Sequence, residues 1–172
     1  MITVAEVAPQ IRPRRSLKPE VVRWLAARGV EVADLAEIVY KLQVPYNPRL
    51  TMRECIESVE AVLDKREVQH AILTGITLDL LADEGALPEP LQQIIASDDP
   101  LYGIDEVLAL SITNVYGSIG LTSFGYLDKC KEGLLGRLNN GENGFTNTFL
   151  DDIVAGLAAA ASARIAHKVQ ES

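Results

Sequence analysis

VLALSITNVYGSIGLTSFGYL, residues Val107 to Leu127, is the stretch that decides the fold. It runs for 21 residues without a charged side chain, long enough to span a bilayer as one helix. Its composition speaks for another place. Ser111, Thr113, Asn114, Ser118, Thr122 and Ser123 are spread along it, with Gly117, Gly120, Gly125 and two tyrosines. A helix at the centre of a protein needs the same lack of charge and accepts such groups where they are hydrogen-bonded. The stretch is therefore expected as a buried core helix, with no membrane span.

Outward from it, helical spacing recurs and little reads as strand. Towards the N-terminus, Leu91–Ala96 is a short helix, preceded by the breakers Gly85, Pro88 and Pro90. Before those, Val68, Ala71, Ile72, Ile76, Leu80 and Leu81 keep one helical stripe. Thr51 and Glu54 form a Thr-x-x-Glu capping box, opening a helix with Cys55, Ile56, Val59, Val62 and Leu63. Met52, Trp24, Tyr116 and Tyr126 are expected in the core. Two earlier helices run from about Pro19 to Arg28 and from about Glu31 to Val44. On the other side, Gly133 to Gly144 reads as a Gly- and Asn-rich loop. A last helix starts near Thr146 or Thr148 and reaches about His167, its Ala158–Ala161 run allowing close packing. The expected fold is all-α, about six to seven helices around a central apolar helix, as a single domain over residues 1–172.

Composition removes several classes of function. Sixteen Lys and Arg against 24 Asp and Glu give a net charge of −8, the wrong sign for a nucleic-acid partner. Cys55 and Cys130 are the only cysteines and make no C-x-x-C pair, which fits a reduced, cytoplasmic protein. Met1–Glu6 meets an acid before any long apolar run, unlike a secretory leader. His70 and His167 are the only histidines, too few for a zinc site or a histidine-based triad.

Nucleophile and phosphate-loop motifs fail as well. There is no P-loop, no G-x-S-x-G elbow and no complete dinucleotide fingerprint. Arg137 stands one residue too far from Cys130 for a Cys-x5-Arg loop. What remains is carboxylate, in three groups where predicted structure changes: Asp105-Glu106, Asp128 beside Lys129 and Lys131, and Asp151-Asp152. Hard oxygen ligands at converging helix ends suit Mg2+ bridging to a phosphate, and Lys131 or Arg137 can offset phosphate charge. Acids in a first turn are also favoured by the helix dipole alone, so spacing leaves both readings open. Glu54-x-x-Glu57 resembles the paired acids of all-α nucleotide pyrophosphohydrolases, yet the second acidic pair, Glu31-x-x-Asp34, lies upstream, in the wrong order. A solvated helix face accounts for it.

Phe149-Leu150-Asp151-Asp152-Ile153-Val154-Ala155-Gly156 resembles the closing motif of the phosphatidylglycerophosphatase A family. Leu127-Asp128-Lys129-Cys130-Lys131 resembles the family's Leu-Asp-x-x-Lys element, with Glu132 where the family has Pro. Ile104-Asp105-Glu106-Val107 resembles its Asp-Glu-hydrophobic element. All three stand in family order, with a Gly-rich loop before the last. The family's N-terminal Gly-Thr-x-Gly-Ser element and its several membrane spans have no counterpart, so the resemblance is to a soluble, all-helical branch. It implies a Mg2+-dependent phosphatase that converts phosphatidylglycerophosphate to phosphatidylglycerol. Carried onto this chain, it makes Asp105, Asp128, Asp151 and Asp152 the expected metal ligands. Glu106 or Asp128 becomes the group that positions or deprotonates water, and Lys131 the phosphate partner. The expected partner is a phosphomonoester, free or as a lipid headgroup met at the membrane surface. The competing readings are a non-catalytic helical scaffold or homo-oligomer, and an all-α nucleotide pyrophosphohydrolase.

Overall fold

A computed structural model describes residues 15–170. The expectations resting on Met1–Glu6 lie outside them. No strand occurs among the described residues. The helices are α1 (Lys18–Ala27), α2 (Val32–Gln43), α3 (Met52–Leu63), α4 (Arg66–Asp83), α5 (Leu91–Ala96), α6 (Ile104–Thr113), α7 (Gly117–Cys130), α8 (Leu134–Asn139) and α9 (Leu150–Gln170). A 3-10 turn, Asn114–Tyr116, joins α6 to α7. Seven of these have ten residues or more; α5, expected as a short helix, and α8, which falls in the expected loop, have six each. The Thr51 capping box forms as read: its hydroxyl accepts the Glu54 N–H, and the Thr51 N–H reaches Glu54 Oε2 at 2.8 Å.

The array has its central apolar helix, but it is α9. Helices α2, α3, α4, α6, α7 and α8 all pack against it, and Leu150 to Ala163 is buried without a break. A helix apolar on every side is stable only when surrounded. Small side chains let the neighbours close in. Ala158 to Ala161 are fully buried, and a Cβ on Gly156 would stand 3.0 Å from the Ala109 carbonyl oxygen of α6.

Val107 to Leu127 does not form one buried helix, which corrects the expectation. Gly117, at φ 74°, breaks it, and the two arms form a hairpin along α9. Asp105, at the start of α6, and Lys131, after α7, both lie by the first turn of α9. At the turn, the carbonyl of Tyr116 meets His167 Nε2 near the other end of α9, 3.2 Å away. Arms of 10 and 14 residues are each short of the ~20 that cross a bilayer. Only 28% of the most apolar 18 residues are buried. Absence of charge does not by itself make a helix an inner one: Ser111 on α6, Asn114 in the turn, and Ser118 and Thr122 on α7 are exposed and solvate the outer side of the hairpin. Tyr126 and Met52, expected in the core, are exposed at 57% and 38%.

Candidate functional site

The hairpin and α9 bring three separate acidic groups to one end of the molecule. Asp151 and Asp152 occupy the first turn of α9, and Asp105 the first turn of α6. Asp128 comes from the last turn of α7. Lys131, just past that helix, lies among them. Its Nζ is 2.9 Å from Asp151 Oδ2 and 3.7 Å from Asp128 Oδ1, and donates to Asn139 Oδ1 at 2.7 Å.

Burial makes the cluster electrostatically tense. Asp105, Asp151 and Asp152 are exposed by only 8%, 4% and 4%. Desolvation, then the charges of Asp151, Asp105 and Asp128, push the Asp152 carboxyl up to about 9. Asp151 is raised to about 6, chiefly by burial; its hydrogen bond to Lys131 pulls the other way. The Asp105 carboxyl is also raised, by burial first and then by Asp98. The same surroundings hold Lys131 firmly charged: its partners Asp151, Asp152 and Asp128 outweigh the cost of its own burial.

One atom stands apart. Asp105 Oδ1 is buried and has no hydrogen-bond partner. An unpaired carboxylate oxygen without water costs several kcal/mol, and groups of this kind call for a missing partner. Among the described residues, no three acidic, His or Cys side chains close on one point as a finished ligand cage. Mg2+ does not require one, since it takes one or two carboxylates and keeps several waters. Donor chemistry, net charge and the orphaned oxygen therefore fit a hard divalent cation.

Four of the five expected acids are brought together, and Lys131 with them. Glu106 is not: it is exposed and enters none of the charge interactions that tie the others. On a helix, neighbouring residues face about 100° apart, so Asp105 turns inward and Glu106 does not follow it. Arg137 is likewise exposed; it lines, with Lys131, Ile38, Leu42 and Leu134, a cavity of about 260 Å³ next to the cluster. Glu54 and Glu57 are occupied locally, by the Thr51 cap and by Arg53 at 2.9 Å.

Two acids that sequence reasoning passed over belong to the picture. Asp98 follows α5 at φ 51°, in the left-handed region. It contributes charge to Asp105, Asp151 and Lys131. Its signal, an acid in a Ser-Asp-Asp-Pro turn, is too common to single out. Asp79, in the middle of α4, is completely buried. Its Oδ1 accepts the Phe149 N–H at 3.0 Å and its Oδ2 the Leu150 N–H at 3.0 Å. Burial raises its carboxyl to about 7, against the pull of those two hydrogen bonds and of Arg28. Four residues on, Asp83 accepts the Thr146 N–H at 2.7 Å and pairs with Arg28 at 2.7 Å. Arg28 also donates to the Thr146 carbonyl and lies over the Phe145 ring, 4.4 Å from its centroid.

The family model of phosphatidylglycerophosphatase A matches residues 21–167. The uncharacterized protein YpjQ of Bacillus subtilis is 59% identical over 147 residues, covering 86% of this chain and 82% of that one. A solved protein of unknown function from Bacillus stearothermophilus superposes with a TM-score of 0.88 at 60% identity, over 91% of this chain and 97% of that one. The low temperature requirement C protein of Listeria monocytogenes does so with a TM-score of 0.87 at 53% identity, over 91% and 98%.

Proposed function

The chain belongs to the phosphatidylglycerophosphatase A family, and from that premise we propose that it is a Mg2+-dependent phosphomonoesterase acting on phosphatidylglycerophosphate. The observation that carries the reading is the orphaned Asp105 Oδ1 inside a cluster of desolvated carboxylates. One or two of Asp105, Asp128, Asp151 and Asp152 would hold the cation directly and the others through coordinated water. Mg2+, when bound, neutralises phosphate oxygens and makes a coordinated water more acidic.

The chain's own groups supply the rest. Lys131 Nζ binds a phosphate oxygen and stabilises the charge that builds on it in the transition state. Asp128, less buried than the other three, has the solvent access to orient a water for in-line attack and take its proton. Water oxygen bonds to phosphorus, the bond from phosphorus to the glycerol oxygen breaks, and the proton that Asp128 took from the water passes to the departing glycerol oxygen. Asp105, Asp151 and Asp152 are nearly buried, so these charges act at a lower dielectric than in bulk water.

A lipid source is favoured by what surrounds the cluster. Leu101, Ile104 and Val107 are exposed at 93%, 54% and 60% at the same end of α6 as Asp105. Exposed apolar side chains at that end suit a substrate whose phosphate stands at a bilayer surface, reached without a membrane span.

The test is phosphate release, with and without Mg2+, from phosphatidylglycerophosphate in micelles and from a panel of soluble phosphomonoesters. Metal-dependent release from the lipid, lost in Asp152→Asn, is the expected result. Release from a soluble ester alone keeps the chemistry and replaces the substrate. Release from neither, in a folded protein, leaves the helical scaffold as the better account.

A further inference from the structure

We infer that Asp79, outside the carboxylate cluster, is a positioning residue for it. From α4 it holds the first turn of α9 in the register that brings Asp151 and Asp152 to Asp105 and Lys131. The inference rests on the reading of that cluster as a metal-dependent phosphatase site.

The first N–H groups of any helix lack partners within it. A Ser, Thr, Asp or Asn at the N-cap normally accepts them. Here Phe149 precedes α9 and has no side chain for the task. The nearest polar side chains are engaged elsewhere: Thr148 Oγ1 donates to the Ile95 carbonyl at 2.6 Å, and Asn147 Nδ2 to the Leu138 carbonyl at 3.0 Å. The cap is instead supplied from 70 residues away. Asp79 uses both carboxylate oxygens, one for the Phe149 N–H and one for the Leu150 N–H. An amide could accept only one of the two, and would turn its own NH2 against the other.

The grip has a direction. Gly75, Asp79 and Asp83 lie at intervals of four residues, on one face of α4. Gly75 leaves room for Phe149 and Ile153, Asp79 holds 149 and 150, and Asp83 holds Thr146. Asp79 is the member whose bonds end on the residue next to Asp151. It is completely buried, and it stands close enough to Asp151 for the two carboxyls to interact. These bonds satisfy two buried N–H groups at the start of α9, and the same bonds fix the backbone beside Asp151; outer residues that orient ligands set metal affinity.

The experiment measures Mn2+ binding by calorimetry and the kcat–KM split in wild type, Asp79→Asn and Asp83→Asn. In Asp79→Asn, Mn2+ affinity and kcat are expected to fall about tenfold or more, with KM for phosphatidylglycerophosphate changed far less. Asp83→Asn, whose bond ends further from Asp151, is expected to lower the melting temperature but keep Mn2+ affinity within about twofold. A folded Asp79→Asn with wild-type Mn2+ affinity and kcat overturns the inference, as does equal loss of Mn2+ affinity in both variants. If Asp79→Asn does not fold, Asp79→Glu is read in its place. It keeps both acceptor oxygens one methylene further out, so weakened Mn2+ binding supports the inference and wild-type binding overturns it. Failure of both to fold overturns it too, because the residue then serves the whole fold. Wild type that binds no Mn2+ and releases no phosphate removes the phosphatase reading itself. Active wild type beside an indistinguishable Asp79→Asn removes only the positioning role.

Discussion

Asp152→Asn is expected to stabilise the metal-free protein at pH 8 while removing its turnover. Burial and the charges of Asp151, Asp105 and Asp128 push the Asp152 carboxyl up to about 9 from an ordinary 3.8. The folded chain thus holds this proton more tightly than the unfolded one. Stability from the group is complete below the unfolded value. It is lost as pH rises toward the folded one, at about 1.4 kcal/mol per pH unit. At pH 8 the ceiling on that loss is about 6 kcal/mol. Relaxation and entering water lower it, and about 2 kcal/mol is the expected remainder. Asn has nearly the same shape and no charge, so it recovers that amount. In a chain of this size about 2 kcal/mol corresponds to roughly 4–8 °C in melting temperature. The assay is thermal melting followed by circular dichroism, in chelator and in millimolar Mg2+, from about pH 5 to pH 8. In chelator the wild type should melt lower as pH rises, and the variant should escape the share that Asp152 causes, while the raised Asp79 and Asp151 carboxyls keep part of the fall. In Mg2+ the wild type should regain the difference, because a cation that displaces the protons binds better at higher pH. A variant melting at or below wild type in chelator at pH 8, or a wild type that gains stability from pH 5 to 8 without metal, would refute the reasoning.

Three further outcomes follow from the geometry. Lys131→Met should lose turnover about 10²–10³-fold while binding Mn2+ at least as tightly as wild type, since the cation that competes for Asp151 is gone; phosphate release and calorimetry read the two effects separately. Arg28→Ala removes the partner of Asp83 and of the Thr146 carbonyl at a site only 3% exposed, and should cost about 3 kcal/mol in urea unfolding. Gly75→Ala places a Cβ 2.3 Å from Ile153 Cδ1 and should cost about 1–3 kcal/mol. Ile153→Val, which deletes that methyl, should recover part of the loss in the double variant and so separate a side-chain clash from a backbone one.

Legibility from sequence divides along physical lines. Interactions within a few residues were readable: the Thr51 capping box, Pro19 at the start of α1, and acids in the first turns of α6 and α9. Helical periodicity survives burial, so nearly every helix could be found. Helix α8 could not, because Gly133, Gly136 and Asn139 disguise Leu134, Leu135 and Leu138 as part of a loop. Which helix is central was not readable either. Alanines score as weakly apolar, yet their small size is what lets six helices surround α9. The uncharged stretch misled because absence of charge does not distinguish an inner helix from an outer one. Within the site, four acids and Lys131 could be named, since they sit where helices begin and end. Asp79 escaped because its partners are backbone N–H groups 70 residues away, although a lone acid among Ile76, Leu78, Leu80 and Leu81 was a usable clue.

The helix that the others surround is also the last in chain order among the described residues. During synthesis, the inner sides of α2, α3, α4, α6 and α7 therefore leave the ribosome with nothing to cover them. A nascent chain at that stage is a client for chaperones, and at high expression a candidate for aggregation. Asp105 and Asp128 are meanwhile already made but still wait for the two acids on α9. Core closure and site assembly thus arrive with the same segment. A message truncated before Leu150 yields a product that lacks both its central helix and two of the four clustered acids, one open to proteolysis.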